Sequence, residues 1–515
     1  MYKKLLFGGI LALLPFYTVK GERKLQLSYA VESRITANDG DYAPFWFTAN
    51  RQGLSSIASS HGYLRGSLFG QGKIGRNTLW KYQFGVDLAT GYDLTSDFIV
   101  HQAFADISYG ALELSIGSKE RFSELKNRLL SSGGMTYSGN SRPIPQVRIS
   151  LPEFWTIPGV NWLHVKGHLA YGRFTDDNWQ RDFTSGTTSR YGEDILYHSK
   201  AAFFKFGNPE KFPVELTIGA EMMTQFGGTV YNTGNGTQKM PSSFKDYFKV
   251  LLPFSGDSST PAAEQNNVYG NTLGSWHIAL DIHLGEWHIR PYYEHFFDDQ
   301  SMIVDEISWK EYGDNFGHGS FWDYIPPLIP DDYYWKDGLY GIEVTFPKNR
   351  IISQVLYEYV ATKEQTGPLF HDNSTHFDDQ ISAVDNYFNH YIYPGWQHWG
   401  MSIGTPLVLS PIYNENKHLI FRSNRMKAHH IALTGSPTNE FDYRILCTFT
   451  DNWGTYYDPL DEIMSEVRTL AEINYSPSKL KGWNFTLSGA WDYSELTGHG
   501  AGAAITITKK GILCK

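Results

Sequence analysis

Apolar and polar side chains trade places residue by residue along several stretches of this chain. From Trp276 to Leu284, Trp276, Ile278, Leu280, Ile282 and Leu284 fall on one side, and His277, Ala279, Asp281 and His283 on the other. After Gly285-Glu286 the pattern resumes, with Trp287, Ile289 and Tyr293 opposing His288, Arg290 and Glu294. Val214, Leu216, Ile218, Ala220 and Met222 oppose Glu215, Thr217, Gly219 and Glu221, and the stretches Tyr82 to Leu88, Phe441 to Phe449 and Trp483 to Tyr493 repeat the alternation. Successive strand side chains point to opposite faces, so a period of two predicts β-strands with one apolar and one polar face.

A soluble sandwich alternates in the same way. Three features favour a closed sheet crossing a membrane. The stretches run to roughly 9–12 residues, the length of a tilted span. Aromatic residues sit at the ends of the apolar faces, where membrane–water interfaces place them. Short connections at Tyr109-Gly110, Gly207 to Lys211, Gly285-Glu286, Pro347 to Asn349, Pro437 to Asn439 and Pro477 to Lys481 are separated by long polar loops near 174–194, 225–272, 298–336, 362–396 and 452–464. Outer-membrane barrels pair short periplasmic turns with long extracellular loops in this rhythm. The expectation is an all-β fold, a large transmembrane antiparallel β-barrel of about 18 strands. That many strands use only about 180 positions, which leaves residues for loops, short helices or a plug. Phe244, Tyr247, Phe248, Leu251 and Leu252 follow helical spacing between Ser242-Ser243 and Pro253, and Phe122, Leu125 and Leu129 suggest a second helix over Arg121 to Leu130.

Composition narrows the classes. Aromatics reach 16% while mean hydropathy is only -0.36, as expected when an apolar outer face is averaged with a polar interior. A net charge of -10 leaves no basic surplus for nucleic acid. The two cysteines, Cys447 and Cys514, exclude a disulfide framework and a multi-cysteine zinc site. No later stretch approaches the ~20 apolar residues of a spanning helix, so a membrane-integral form of this chain must be a barrel. Lys3 and Lys4 precede the apolar run Leu5 to Phe16, the pattern of a secretory signal. Residues 1–21 are therefore expected to be a cleaved signal peptide and residues 22–515 the mature barrel in the outer membrane.

Catalytic signatures are absent: the chain has no G-x-S-x-G, H-E-x-x-H or C-x-x-C. No enzymatic activity, metal or cofactor is expected. Gly70-Gln71-Gly72-Lys73-Ile74-Gly75 leads into another strand and not a helix, so it marks a hairpin rather than a dinucleotide site. His371, Asp372, His376, Asp378 and Asp379 resemble a metal cluster, but acidic runs in loops are usually solvated. His277, Asp281, His283 and His288 suit a relay or, more plainly, the lining of a wet lumen.

The loops concentrate aromatic residues. Trp179, Tyr231, Trp322, Tyr333, Tyr334, Trp335, Trp396, Trp399, Trp453, Tyr456 and Tyr457 stand near Asp176, Asp177, Asp323, Asp331, Asp332, Asp451 and Asn452. Flat apolar rings beside hydroxyl-accepting carboxylates and amides suit a sugar. The plainer reading is that these rings anchor loops at the membrane interface.

Two segments carry a family resemblance. Asp41-Tyr42-Ala43-Pro44-Phe45-Trp46-Phe47-Thr48-Ala49-Asn50-Arg51-Gln52-Gly53-Leu54 and Ser132-Gly133-Gly134-Met135-Thr136-Tyr137-Ser138-Gly139-Asn140-Ser141-Arg142-Pro143-Ile144-Pro145-Gln146-Val147-Arg148-Ile149 resemble signatures of the Wzi-type capsule-assembly proteins. The resemblance implies an 18-stranded outer-membrane barrel with a helical element over its periplasmic end. It implies lectin-like binding and tethering of exported capsular polysaccharide, with no catalysis and no cofactor; outer-membrane lipid and lipopolysaccharide are the further partners expected of a barrel in that membrane. The competing expectation is a porin for oligosaccharides or other solutes. The C-terminal Gly511-Ile512-Leu513-Cys514-Lys515 departs from the terminal aromatic common in such barrels.

Overall fold

The first strand of the chain pairs with the last. Leu27 to Asn38 run antiparallel to Cys514 to Gly502, and this pairing closes an 18-stranded antiparallel sheet into a barrel. The computed structural model describes residues 25–75, 79–251, 269–298, 337–370 and 381–514. Its barrel strands are β1 (Gln26–Tyr42), β2 (Ala58–Lys73), β3 (Trp80–Tyr92), β4 (Phe98–Tyr109), β5 (Leu112–Ser118), β6 (Gln146–Thr156), β7 (Leu163–Arg173), β8 (Leu196–Phe206) and β9 (Val214–Phe226). They continue as β10 (Asn271–Leu284), β11 (Trp287–Asp298), β12 (Gly338–Thr345), β13 (Gln354–Ala361), β14 (Met426–Gly435), β15 (Phe441–Gly454), β16 (Pro459–Tyr475), β17 (Trp483–Ser494) and β18 (Gly498–Cys514). Closure removes the unpaired edges that an open sheet would leave in lipid.

Register turns the sequence alternation into two surfaces. Ile35 pairs with Ile505, Ile505 with Leu487, and Leu487 with Ile473. This row is 68%, 56%, 56% and 49% exposed on the outer wall, a continuous apolar surface that only lipid accommodates. The intervening residues face inward, and Glu221, Glu294, Glu358 and Glu472 among them are buried. Connections at one end are short, including 110–111, 207–213, 285–286 and 436–440, whereas the other end carries 43–57, 119–145, 174–195, 227–270 and 362–425. The short end is periplasmic and the long end extracellular by the rule for such barrels.

The bore is filled by the chain itself. The connections 43–57 and 119–145 and the stretch 385–425 fold inward from the extracellular end, and Phe47, Leu130, Met135, Phe388, Trp396 and Phe421 pack together there with at most 1% exposure. Short helix α1 (Phe45–Thr48) belongs to this plug. Inward carboxylates tie it to the wall: Glu472 contacts Arg51 at 3.3 Å and Arg444 at 2.9 Å, and Glu294 accepts the Met135 N–H at 2.7 Å.

Two expectations need correction. The helix anticipated over Arg121 to Leu130 does not form; Leu125 has φ +60°, a left-handed turn that a right-handed helix cannot contain. That segment runs irregularly down to the periplasmic end, where Asn127 Nδ2 donates to Glu343 at 2.8 Å and Arg444 Nη1 donates to the Leu129 carbonyl at 2.9 Å. The helical cover implied at that end is likewise not found among the described residues, whose α-helices all belong to extracellular connections. These are α1, α2 (Trp179–Phe183) and α3 (Phe244–Leu251). The last was expected from its spacing.

Candidate functional site

At the extracellular end the plug bears a tight hairpin. Gln397 pairs with Ser402 and His398 with Met401, which leaves Trp399-Gly400 as a two-residue turn. Both have positive φ, +56° and +75°, as a type I′ hairpin turn demands. Glycine accepts that conformation, but for tryptophan it costs about 1–2 kcal/mol. The surroundings hold it there. Both ring nitrogens of His398 lie 2.9 Å from carbonyl oxygens, of Arg142 and of Thr175. The Gly400 N–H donates to the Gln397 side chain at 2.8 Å, and Gly400 O accepts the Ile412 N–H at 3.0 Å.

The Trp399 ring, half-buried, belongs to an aromatic cluster packed on a buried cation. The Arg142 guanidinium stands 3.9 Å from its centroid, within cation–π range, and donates to Thr95. Trp179 lies 6.4 Å away and stacks on Phe183 at 4.8 Å. Asp176 fixes the start of α2 by accepting the N–H groups of Asn178 and Gln180 at 3.2 and 3.1 Å. Four separate connections, around Thr95, Arg142, Trp179 and Trp399, thus meet at one place. Tyr191 and Tyr231 stack at 4.7 Å nearby in sequence on a small sheet formed by Tyr191–Glu193, Thr229–Thr233 and Gly236–Lys239.

Trp453, Tyr456 and Tyr457 form a second group. Arg425 lies 3.7 Å from the Tyr456 centroid, and the Tyr456 hydroxyl donates to the Glu364 carbonyl at 2.8 Å. Tyr457 is 73% exposed. Trp453 continues the outward row Phe449, Asp451 of β15, and Lys363 stands 4.8 Å from its ring. An indole on the outer wall beneath a lysine has the placement of an interface anchor.

Trp396 corrects the sequence reading. Its side chain is fully buried and its indole N–H donates to the Thr136 carbonyl at 2.9 Å, so it belongs to the packed interior of the plug and not to the rim. Trp322, Tyr333, Tyr334 and Trp335 lie outside the described residues, as do His371, Asp372, His376, Asp378 and Asp379. The sequence reading did not anticipate that Arg142 packs on Trp399 and Phe183 on Trp179. The dipeptide Trp399-Gly400 was the available signal, because X-Gly between short extended pairs marks a primed turn.

The lumen histidines pair with carboxylates. His288 contacts Asp281 at 2.9 Å, His283 contacts Glu215 at 3.3 Å, and the two rings stack at 4.9 Å. Higher up, Glu221, His277 and Glu294 converge, as do Asp87, His101 and Glu120. Lys126 stands 2.9 Å from Glu294, and Arg65 bridges Asp87 and Glu120. In each trio a cation of the chain itself offsets the buried carboxylates.

Comparison with known proteins places this architecture. The family model described as "Capsule assembly protein Wzi" matches residues 28–318. The solved structure of Wzi from Escherichia coli, described as a carbohydrate-binding β-barrel of the outer membrane involved in group 1 capsule assembly, superposes with a TM-score of 0.52 at 10% identity, covering 93% of this chain and 83% of that one. OccK5 (OpdH) of Pseudomonas aeruginosa aligns with a TM-score of 0.47 at 8% identity over 95% of this chain and 98% of its own. No curated protein sequence matches the chain. The family match covers more than half the length, and it places this chain in the Wzi family of capsule-assembly proteins, with the closed barrel as its fold.

Proposed function

We propose that this barrel binds exported capsular polysaccharide at its extracellular rim and tethers it to the cell surface without chemically altering it. The observation that carries the reading is Trp399, held in a left-handed turn with Trp179 and Arg142 beside it. Backbone strain of this kind persists where the surroundings over-determine it, and it collects at binding sites. Flat rings offer area to the apolar faces of sugars at little entropic cost, and the buried Arg142 guanidinium holds the Trp399 ring in place. Tyr456 and Tyr457 are proposed as further contacts, with Trp322, Tyr333, Tyr334 and Trp335 as candidates of the same kind. Trp453 is assigned to the lipid boundary. Many weak sites on many barrels facing one repetitive polymer give strong retention through effective concentration.

The family match and the plugged bore support this reading. A solute channel needs an open bore, and buried side chains such as Met135 and Phe388 occupy it. The proposal includes export through a signal peptide removed near residue 21, which N-terminal sequencing of the mature protein checks. The decisive experiment is a deletion strain. Capsule synthesis should continue while polymer is shed into the medium, and re-expression should restore retention. Undiminished surface capsule in the deletion strain sinks the proposal.

A further inference from the structure

Helix α3 sits on the outside of the barrel wall, and strand register establishes it. On β9, Leu216 and Ile218 face outward, 37% and 38% exposed. Thr224 and Phe226 lie an even number of residues further along and share that face. Across the sheet, Phe226 pairs with Leu196, Thr224 with His198, Met222 with Lys200, and His198 with Tyr171. On a bare outer wall these residues would be open, yet Phe226 and His198 are 0% exposed and Thr224 1%.

Helix α3 and Tyr269 form the cover. Tyr247 packs its ring 5.2 Å from both Phe226 and Tyr171, and the Tyr171 hydroxyl donates to the Tyr247 carbonyl at 2.7 Å. Lys200, projecting from the wall, donates to the Val250 and Leu251 carbonyls at 2.8 and 2.7 Å. These are carbonyls at the helix C-terminus, where a cation is favoured. At the other end Asp246 accepts the Ser243 N–H and hydroxyl at 2.7 and 2.6 Å. Both ends of the helix are therefore fixed.

Its remaining side is open and mainly apolar, with the exposed Lys245 beside Phe244. Phe244 is 79% exposed and Phe248 55%, and the two rings, one helical turn apart, meet at 5.1 Å. Height along the wall indicates what covers them. Trp276 on β10 pairs with Ala220 and is 42% exposed on the outer wall. Lys200 pairs with Met222, two residues further toward the extracellular end. The helix thus lies immediately above the aromatic belt, continuous with the lipid-facing surface and at the level of the outer-leaflet boundary.

We propose that α3 is an interfacial helix lying in the plane of the outer leaflet, with Phe244 and Phe248 inserted among its acyl chains. Amphipathic helices bury an apolar face at this depth while keeping polar groups in the headgroup layer. The helix braces the connection 227–270 against the membrane. This inference stands on the wall geometry and not on the polysaccharide reading.

The test places a nitroxide at position 248 in a Phe248→Cys variant of a Cys447→Ser, Cys514→Ser background, reconstituted in phosphatidylcholine liposomes. Labels in Leu216→Cys and Asn235→Cys variants serve as lipid and water references. Oxygen is expected to relax the label at 248 far more than an aqueous nickel chelate does, as at position 216. Relaxation dominated by the nickel chelate, as at position 235, overturns the proposal. A Phe248→Trp variant gives a second readout that keeps the ring. Its added emission should be quenched by brominated phosphatidylcholine, and quenching by aqueous iodide alone would count against the helix lying in lipid.

Discussion

Glu358 on β13 accepts both the backbone N–H and the hydroxyl of Ser132, at 2.7 and 2.6 Å. Its other oxygen accepts the Ser131 hydroxyl at 2.7 Å and the Tyr292 hydroxyl. Three residues further along the plug, Met135 makes the equivalent bond to Glu294. A carboxylate with this many donors is a strong tie, and the donors depend on it as much as it depends on them. The glycine-rich segment that carries the family resemblance is thus the strap joining plug to wall.

Removing that tie should loosen the plug. Glu358→Ala leaves the donors of Ser131, Ser132 and Tyr292 unpaired in the interior, at a cost of about 3 kcal/mol. The wild-type protein is expected to show no steady conductance in planar bilayers, and a Glu294→Ala, Glu358→Ala double variant to flicker open. Large stable openings in the wild type would contradict a filled bore and favour a channel.

The rim tryptophans and the buried one should separate cleanly. Trp399→Ala or Trp179→Ala should weaken binding of purified capsular polysaccharide about 10- to 100-fold, the range of a contact hot spot, while the folded barrel keeps its heat-modifiable gel mobility. Trp396→Ala should instead lower stability by about 3–5 kcal/mol by emptying core volume. Equal affinity in all three variants would remove the rim from the binding surface.

Gly400 offers a subtler probe. It has φ +75°, and a Cβ there would run into the Trp179 ring. Gly400→Ala should therefore cost about 1–3 kcal/mol locally and reduce polysaccharide affinity by displacing Trp399. Because the two act through one surface, Gly400→Ala should add little in a Trp399→Ala background. Additive losses in affinity would show that Gly400 acts elsewhere.

Acid should loosen the plug near His390. Its Nδ1 accepts the Ile392 and Tyr393 N–H groups at 3.1 and 3.2 Å, so that nitrogen must stay unprotonated. Burial, aided by the nearby Arg190, holds the imidazole down to about 3, against an ordinary 6.5. A base depressed on folding contributes stability that is complete above its unfolded value. That stability is lost, by up to about 1.4 kcal/mol per pH unit, as pH falls from 6.5 towards 3. Hydrogen exchange over residues 388–396, corrected for intrinsic rate, should rise between pH 7 and pH 5. In His390→Asn, whose amide oxygen supplies a non-titrating acceptor, that rise should vanish; its persistence would point to another group.

The barrel was legible in the chain because lipid and water impose a period of two that each strand must obey alone. Leu216 and Ile218 needed no knowledge of their neighbours to be placed outside. The helix over 244–251 was legible for the same reason, since its spacing is local. The segment 121–130 misled because its apolar spacing does not mark one buried face, Leu129 being 56% exposed, and Leu125 takes a left-handed conformation that spacing does not encode.

The sequence by itself determined the strands, their two faces, the rhythm of turns and the family signatures, all of which are set by neighbours close along the chain. Only the tertiary structure decided that Trp396 is core and Trp399 rim, although only two residues separate them. It alone decided that α3 rests on the outer wall, and that Arg142 covers an indole more than 250 positions away. Those outcomes depend on closing the barrel and folding its long connections inward. Such contacts join residues distant in the chain, and no local periodicity records them.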